Sequence, residues 1–342
     1  MTSTAESTVV DFRFTGIRSR NVVRVRGLSI AQADRLAQLW ETSVVHVPVE
    51  PDCPAKSVLD VTPSLTIQHP LPSPPVSGIF HPTHRVTHGG DELQFPTGLI
   101  RLSPKTEVIE VLWIPSDRRG DGPSPDLMET AMGLALGGLG VTCLHAVAFS
   151  VGPHTILGVG GSGAGKSTIT AAALRSGGRV ASDDSVLACP SDDHVQLGPF
   201  RAYFSFRDAT LSVLPDWLSE KTTEGADSHF LDRLACPDNL AAELVPDRLW
   251  QLRIDRRLRA SRIRRLCTQE SLVALVSSAS LLTLSPRYPR IRQRAMSVLA
   301  TLAENCPGFE VRLGRDMLEE PEATLENLCN EPCRRESPTS RL

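Results

Sequence analysis

The run Gly160-Gly161-Ser162-Gly163-Ala164-Gly165-Lys166-Ser167-Thr168 constrains this chain more than any other segment. It satisfies G-x-x-x-x-G-K-[ST], with the apolar stretch His154-Thr155-Ile156-Leu157-Gly158-Val159 before it and the alanine-rich stretch 168–174 after it. A strand, a glycine loop and a helix in that order belong to an α/β sheet. Four glycines let successive backbone N–H groups turn toward one anion without Cβ clashes, and the new helix adds the positive end of its dipole. The expected guest is a triphosphate. Lys166 supplies a mobile charge for its outer phosphates, and the Ser167 hydroxyl is placed to ligate Mg²⁺. The chain has only four lysines against 32 arginines, so a lysine at this position is not the background choice of base.

The helix should stop at Gly177-Gly178, which can adopt a left-handed cap, and Val180-Ala181 should open a strand running into Ser182-Asp183-Asp184. Those carboxylates lie 17 and 18 residues after Lys166, at a strand's C-terminal end, which in an open α/β sheet faces the crevice of the phosphate loop. One of them can hold the metal while the other takes a proton from an attacking hydroxyl. A second acidic pair, Asp192-Asp193, follows Pro190-Ser191 and reads as a turn.

Length and composition set the frame around this loop. At 342 residues the chain holds about two domains, each large enough for its own core. Lys+Arg 36 against Asp+Glu 39 leaves a net charge of −3, which excludes a general polyanion binder with an overall basic field. The N-terminus lacks a basic stretch followed by an apolar one, and no run approaches the roughly 18 apolar residues of a membrane span, so a soluble, cytoplasmic protein without membrane contact is expected. Eight scattered cysteines without CxxC pairing suit reduced thiols.

Alternating runs such as 21–25 and a helical pattern over 29–39 predict a small α+β module in residues 1–120. Repeated prolines between 62 and 90 predict loop, edge strand or linker, 109–114 a strand, and 120–125 a turn feeding a helix over 126–139. The second domain is expected at 121–328, and 329–342 as a flexible tail.

GGSGAGKST followed by SDD at this separation resembles the kinase domain of HPr kinase/phosphorylase and its HprK-like relatives, which are structurally similar to phosphoenolpyruvate carboxykinase. His145, fifteen residues before Gly160, reads alone as readily as a core histidine, but the family places an active-site histidine ahead of its loop. The similarity covers residues 140–320 and closes with 308–313. It implies an HprK/PEPCK-like P-loop kinase domain using ATP and Mg²⁺, with Asp183 as general base and Asp184 and Ser167 on the metal. Arg207, in Phe204-Ser205-Phe206-Arg207, corresponds to a phosphate-facing arginine, and Ser205 stands where the family carries a glutamate. Residues 1–120 do not resemble the regulatory domain of bacterial HPr kinase. HprK-like enzymes associated with lasso-peptide maturation have this architecture and phosphorylate a peptide serine, so the resemblance implies a peptide or protein hydroxyl acceptor, and a homo-oligomer. A small-molecule hydroxyl kinase and a regulatory nucleotide-binding or ATPase module remain open alternatives.

The remaining constellations carry less. His81, His84 and His88 lie in proline-rich sequence without the helical spacing of a zinc site, and Cys329-x-x-x-Cys333 lacks a second pair. Between Arg256 and Arg294, ten arginines face a single acid, Glu270. They either steer an acidic peptide or phosphates, or form a solvated surface balanced by Glu319, Glu320 and Glu322. Nucleic acid is not expected, because few aromatics interleave with these arginines. G-x-S-x-G, H-R-D and D-F-G are all absent.

Overall fold

The computed structural model describes residues 8–14, 22–28, 30–40, 42–47, 58–63, 83–87, 90–102, 108–113, 124–225, 228–279 and 288–330. Its architecture is mixed α/β, with several sheets and helices in two compact units.

The first unit comprises Met1–Thr142 and Leu281–Ala295. Its strands are β1 (Thr8–Phe14), β2 (Val22–Leu28), β3 (Thr42–Val47), β4 (Val58–Pro63), β5 (Thr83–Val86), β6 (Asp91–Phe95), β7 (Gly98–Leu102) and β8 (Val108–Trp113). They form one mixed sheet in the order β3-β1-β2-β4-β8-β7-β6-β5. Helix α1 (Ile30–Leu39) packs on β1 and β3, and α2 (Pro125–Gly138) packs on β2, β4, β7 and β8. The expected boundary at 120 therefore moves to 142. Leu127, Met128, Ala131, Met132, Leu134, Ala135 and Leu136 of α2 are all buried, and this broad apolar surface closes the first unit's core. Of the histidines noted above, His84 lies on the edge strand β5, while His81 and His88 fall outside the described residues. Residues 331–342 of the expected tail also fall outside them, whereas Cys329 is buried in the last helix of the described residues.

The second unit, Cys143–Ser280 and Met296–Leu342, carries the glycine loop. Strands β9 (Thr142–Val151) and β10 (His154–Val159) form a hairpin, and the loop connects β10 to helix α3 (Lys166–Arg175). Strands β11 (Arg179–Ser182), β12 (Ser185–Pro190) and β13 (Val195–Pro199) follow. Strand β14 (Tyr203–Phe206), short helices α4 (Asp208–Leu211) and α5 (Asp216–Ser219), and strands β15 (Thr223–Glu224) and β16 (His229–Asp232) come next. The chain then runs through β17 (Arg248–Ile254), β18 (Arg262–Arg265), α6 (Thr268–Ser278), α7 (Pro289–Asn305), β19 (Gly308–Leu313), α8 (Asp316–Glu319) and α9 (Pro321–Asn330). The main sheet has the order β13-β12-β9-β10-β17-β19-β18, with β11 also on β9, and β14-β16-β15 form a small separate sheet.

Strands β10, β17 and β19 are parallel, so their C-terminal ends share one edge with the loop. Leu252, Val311 and the half-buried Ile263 pack into the same core as Ile169, Ala173 and Leu174 of α3, and Phe149 meets Trp250 edge-on with ring centroids 5.9 Å apart. Helix α3 ends at Arg175, where Gly177 takes φ +69° and the Gly178 amide donates to Ala173 O at 2.8 Å. Among the described residues, no helix is long and apolar enough to cross a membrane, and Cys143, Cys189, Cys236, Cys267, Cys306 and Cys329 are free thiols.

Two loop glycines separate strain from tolerance. Gly165 has φ +103°, and a Cβ there would stand 2.4 Å from Leu313 Cδ1. At Gly161 a Cβ would meet nothing within 4 Å. We expect Gly165→Ala to cost about 2–4 kcal/mol, from left-handed strain plus overpacking. Gly161→Ala should stay within about 0.5 kcal/mol; urea unfolding followed by tryptophan fluorescence compares the two.

Candidate active site

The backbone brings the polar groups together. Val159, the last residue of β10, lies opposite Ala146 on β9, and the Ala146 amide donates to the Asp184 carbonyl at 2.9 Å. Three chain segments therefore meet where β10 gives way to the loop: His145 on β9, the glycine loop, and the Asp183-Asp184 break between β11 and β12.

Lys166 is 6% exposed and directs its ammonium at His145 Nε2 (2.8 Å), Gly160 O (2.9 Å) and Gly161 O (3.1 Å). These three acceptors match its three protons. Because Nε2 accepts from the ammonium, the Nδ1–H of His145 donates to Asp184 Oδ1 at 3.1 Å. Asp184 Oδ2 accepts from Arg201 at 2.8 Å. The result is a continuous chain from the loop through Lys166, His145 and Asp184 to Arg201.

Asp183 sits beside this chain and is 2% exposed, its Oδ2 accepting the Ser205 amide at 2.7 Å. Burial pushes its carboxyl up, the Asp184 charge pushes it further, and the Ser205 amide opposes them, leaving it at about 7. Burial alone would raise Asp184 as well. There, the hydrogen bond from His145 and the charges of Arg201 and Lys166 outweigh it and hold the carboxyl well below the usual range. Burial lowers Lys166, with the Asp184 and Asp183 charges opposing it and Arg207 reinforcing it. Two neighbouring carboxyls thus have opposed proton affinities, the arrangement that separates a proton acceptor from a permanent anion.

The structure brings Gly160, Gly161, Lys166, His145, Asp183 and Asp184 into one site. Ser162 and Gly163 lie exposed at the loop's outer turn, Ala164 and Gly165 lead into α3, and Ser167 and Thr168 are half-buried in its first turn. Among the described residues, the side chains of Ser167 and Arg207 make no hydrogen bond or ion pair with the network. Arg207 is exposed at the start of α4, and its charge is felt at Lys166. Ser205 reaches Asp183 through its backbone amide, a contact open to any residue in that strand.

Sequence reasoning missed Arg201, although the alternation in Arg201-Ala202-Tyr203-Phe204-Ser205-Phe206-Arg207 contained the signal. Phe204 and Phe206 are fully buried, so Tyr203 and Ser205 share the opposite face of β14, and Arg201 and Arg207 flank the strand at its two ends.

The donor set fits Mg²⁺. Asp184, Asp183 and Ser167 offer only oxygen, and each Asp184 oxygen, engaged once, keeps a second lone pair. Among the described residues, no group of three or more His, Cys, Asp or Glu forms a protein-only cage.

Asp183 makes stability pH-dependent in a known direction. Its folded-state value near 7 exceeds the ordinary 3.8, so its protonated form favours the fold, fully below about pH 4 and progressively less as pH rises through 7. In metal-free buffer, Asp183→Asn should therefore raise the melting temperature clearly at about pH 8 and little at about pH 4. An equal shift at both would refute the burial argument. No protein-family model matches the chain, and no curated protein matches it.

Proposed function

We propose that the second unit is an ATP-dependent phosphotransferase of HprK/PEPCK-like P-loop fold, moving the γ-phosphate of ATP to a serine hydroxyl of a peptide or protein. The observation that carries this reading is Asp183, a buried carboxyl near 7, set beside a lysine of a glycine loop and a second carboxylate held ionised. A nucleotide sensor needs the loop and a metal ligand. It does not need a proton acceptor tuned close to neutral pH.

In this reading the loop amides and the start of α3 hold the triphosphate, and Lys166 transfers two of its hydrogen bonds from Gly160 O and Gly161 O to phosphate oxygens. Asp184 and Ser167 would hold Mg²⁺, which when bound neutralises charge on the β- and γ-phosphates. His145 keeps Lys166 and Asp184 in register through its two ring nitrogens. Asp183 takes the acceptor's proton as the hydroxyl oxygen bonds to phosphorus, the bond to the bridging oxygen breaks, and ADP leaves. Arg201 and Arg207, flanking β14 at its two ends, would supply guanidinium groups to the transferring phosphoryl oxygens.

Mass spectrometry of serine-bearing peptides after incubation with ATP and Mg²⁺ tests this. Lys166→Ala should lose nucleotide binding and transfer together. Asp183→Asn should keep nucleotide binding and lose about 10²–10⁴-fold in transfer rate. Transfer at the wild-type rate in Asp183→Asn removes the base assignment. ATP consumption with no peptide labelled points to a small-molecule acceptor or a regulatory ATPase.

A further inference from the structure

Strand β17 ends against the loop. A Cβ on Gly165 would touch Ile254 Cγ1 at 3.3 Å, and one on Gly160 would approach Leu252 O at 2.9 Å. From this end the chain turns through 255–261 into β18, and residues 253–265 hold seven arginines against Asp255 alone. Leu252, Val311 and Ile263 face the core, so Arg253, Arg312 and Arg262, their neighbours along each strand, share the opposite, open face.

The register makes this charge unusual. Arg312 lies directly across from Arg253 on one side and Arg262 on the other, giving a row of three arginines over three strands. Like charges opposite one another destabilise a sheet. Glu310 alone meets Arg253 (3.8 Å), Arg264 (3.1 Å) and Arg312 (3.5 Å), and Glu270 adds a second contact to Arg264. Among the described residues, the side chains of Arg256, Arg257, Arg259 and Arg262 make no ion pair or hydrogen bond. The carboxylates that could have balanced them do not: Glu322 pairs with Arg175, and Glu319 and Glu320 form no ion pair among the described residues.

The loop bearing these arginines is braced. Asp316 accepts the Ser261 amide and hydroxyl, both at 2.7 Å, and the Arg315 and Asp316 amides donate to Leu258 O and Arg259 O. Arg256 is two residues beyond Ile254, within about 7 Å of backbone travel from the strand end that touches the loop. Among the described residues β18 is also a sheet edge, pairing only with β19.

We propose that the Arg253–Arg312–Arg262 row and the adjoining Arg256, Arg257 and Arg259 dock an acidic peptide segment beside the phosphate loop. This rests on the phosphotransferase reading and adds that the acceptor carries its acidic residues next to the serine. Guanidinium forks pair with carboxylates bidentately, and the open edge of β18 lets an extended segment lie alongside. An acidic peptide fits better than RNA because none of the residues 253–265 offers an aromatic ring for stacking.

Fluorescence anisotropy with a fluorescein-labelled, glutamate-rich serine peptide tests docking without any turnover. Wild-type full-length protein should bind it, more weakly as salt rises, and Arg256→Glu/Arg257→Glu/Arg262→Glu should raise Kd at least about tenfold. The matching Lys triple should retain binding at low salt. An unchanged melting temperature in both triples shows the fold is intact. No binding by wild type, or equal binding by the Glu triple, overturns the proposal, as does tighter binding of an oligo-uridine RNA than of the peptide. Binding lost in the Glu triple without phosphorylation by wild type keeps the docking surface and removes the kinase. Phosphorylation unaffected by the Glu triple does the reverse.

Discussion

The ammonium of Lys166 is the charge around which the polar interior of the second unit is arranged. A buried lysine is costly unless its protons are satisfied and its charge is opposed. Two loop carbonyls and His145 take the protons, while Asp184, one step further along the chain of contacts, supplies the opposing charge. Arg201 then shares Asp184, which keeps that carboxylate ionised and leaves Asp183 as the group that must resist a second negative charge. Each member's protonation follows from its neighbour's, so the site behaves as a coupled unit.

That coupling depends on backbone pairing more than on side-chain recognition. Ala146 is where the end of β10 and the end of the Asp183-Asp184 break meet on β9. The carboxylates stand between two short strands on the same edge of β9, so the side chains that do the proposed chemistry occupy a gap in the ladder. Their backbone is pinned on both sides while their side chains stay free of sheet packing.

Much of this is legible in the sequence. The glycine loop, its flanking strand and helix, the Gly177 cap and the strand leading to Asp183 follow from glycine spacing and apolar runs, which act over a few residues. What was hidden depends on distant pairing. Helix α2 belongs with the first unit because its apolar circumference meets β4, β7 and β8, and sequence carries no mark of which sheet a helix will cover. Arg201 lay in plain alternation with Arg207, but its importance comes from Asp184, which β-strand periodicity cannot locate. The arginine span looked like one block in sequence. In the fold its first part, 256–265, follows Arg253 at the end of β17, and β19 brings Arg312 in from far along the chain to complete the row.

The contact between Gly165 and Leu313 has a temporal side. Leu313 follows Gly165 by 148 residues, and β17 and β19 must both pair before the floor of the loop exists. Contacts of such long sequence separation form late, after much chain has been restrained. During synthesis the loop and its helix leave the ribosome long before the strand that braces them. A nascent chain that has exposed every residue of the glycine motif still lacks the geometry the motif names, and the braced loop on which the proposed nucleotide binding rests arises only once β19 has emerged.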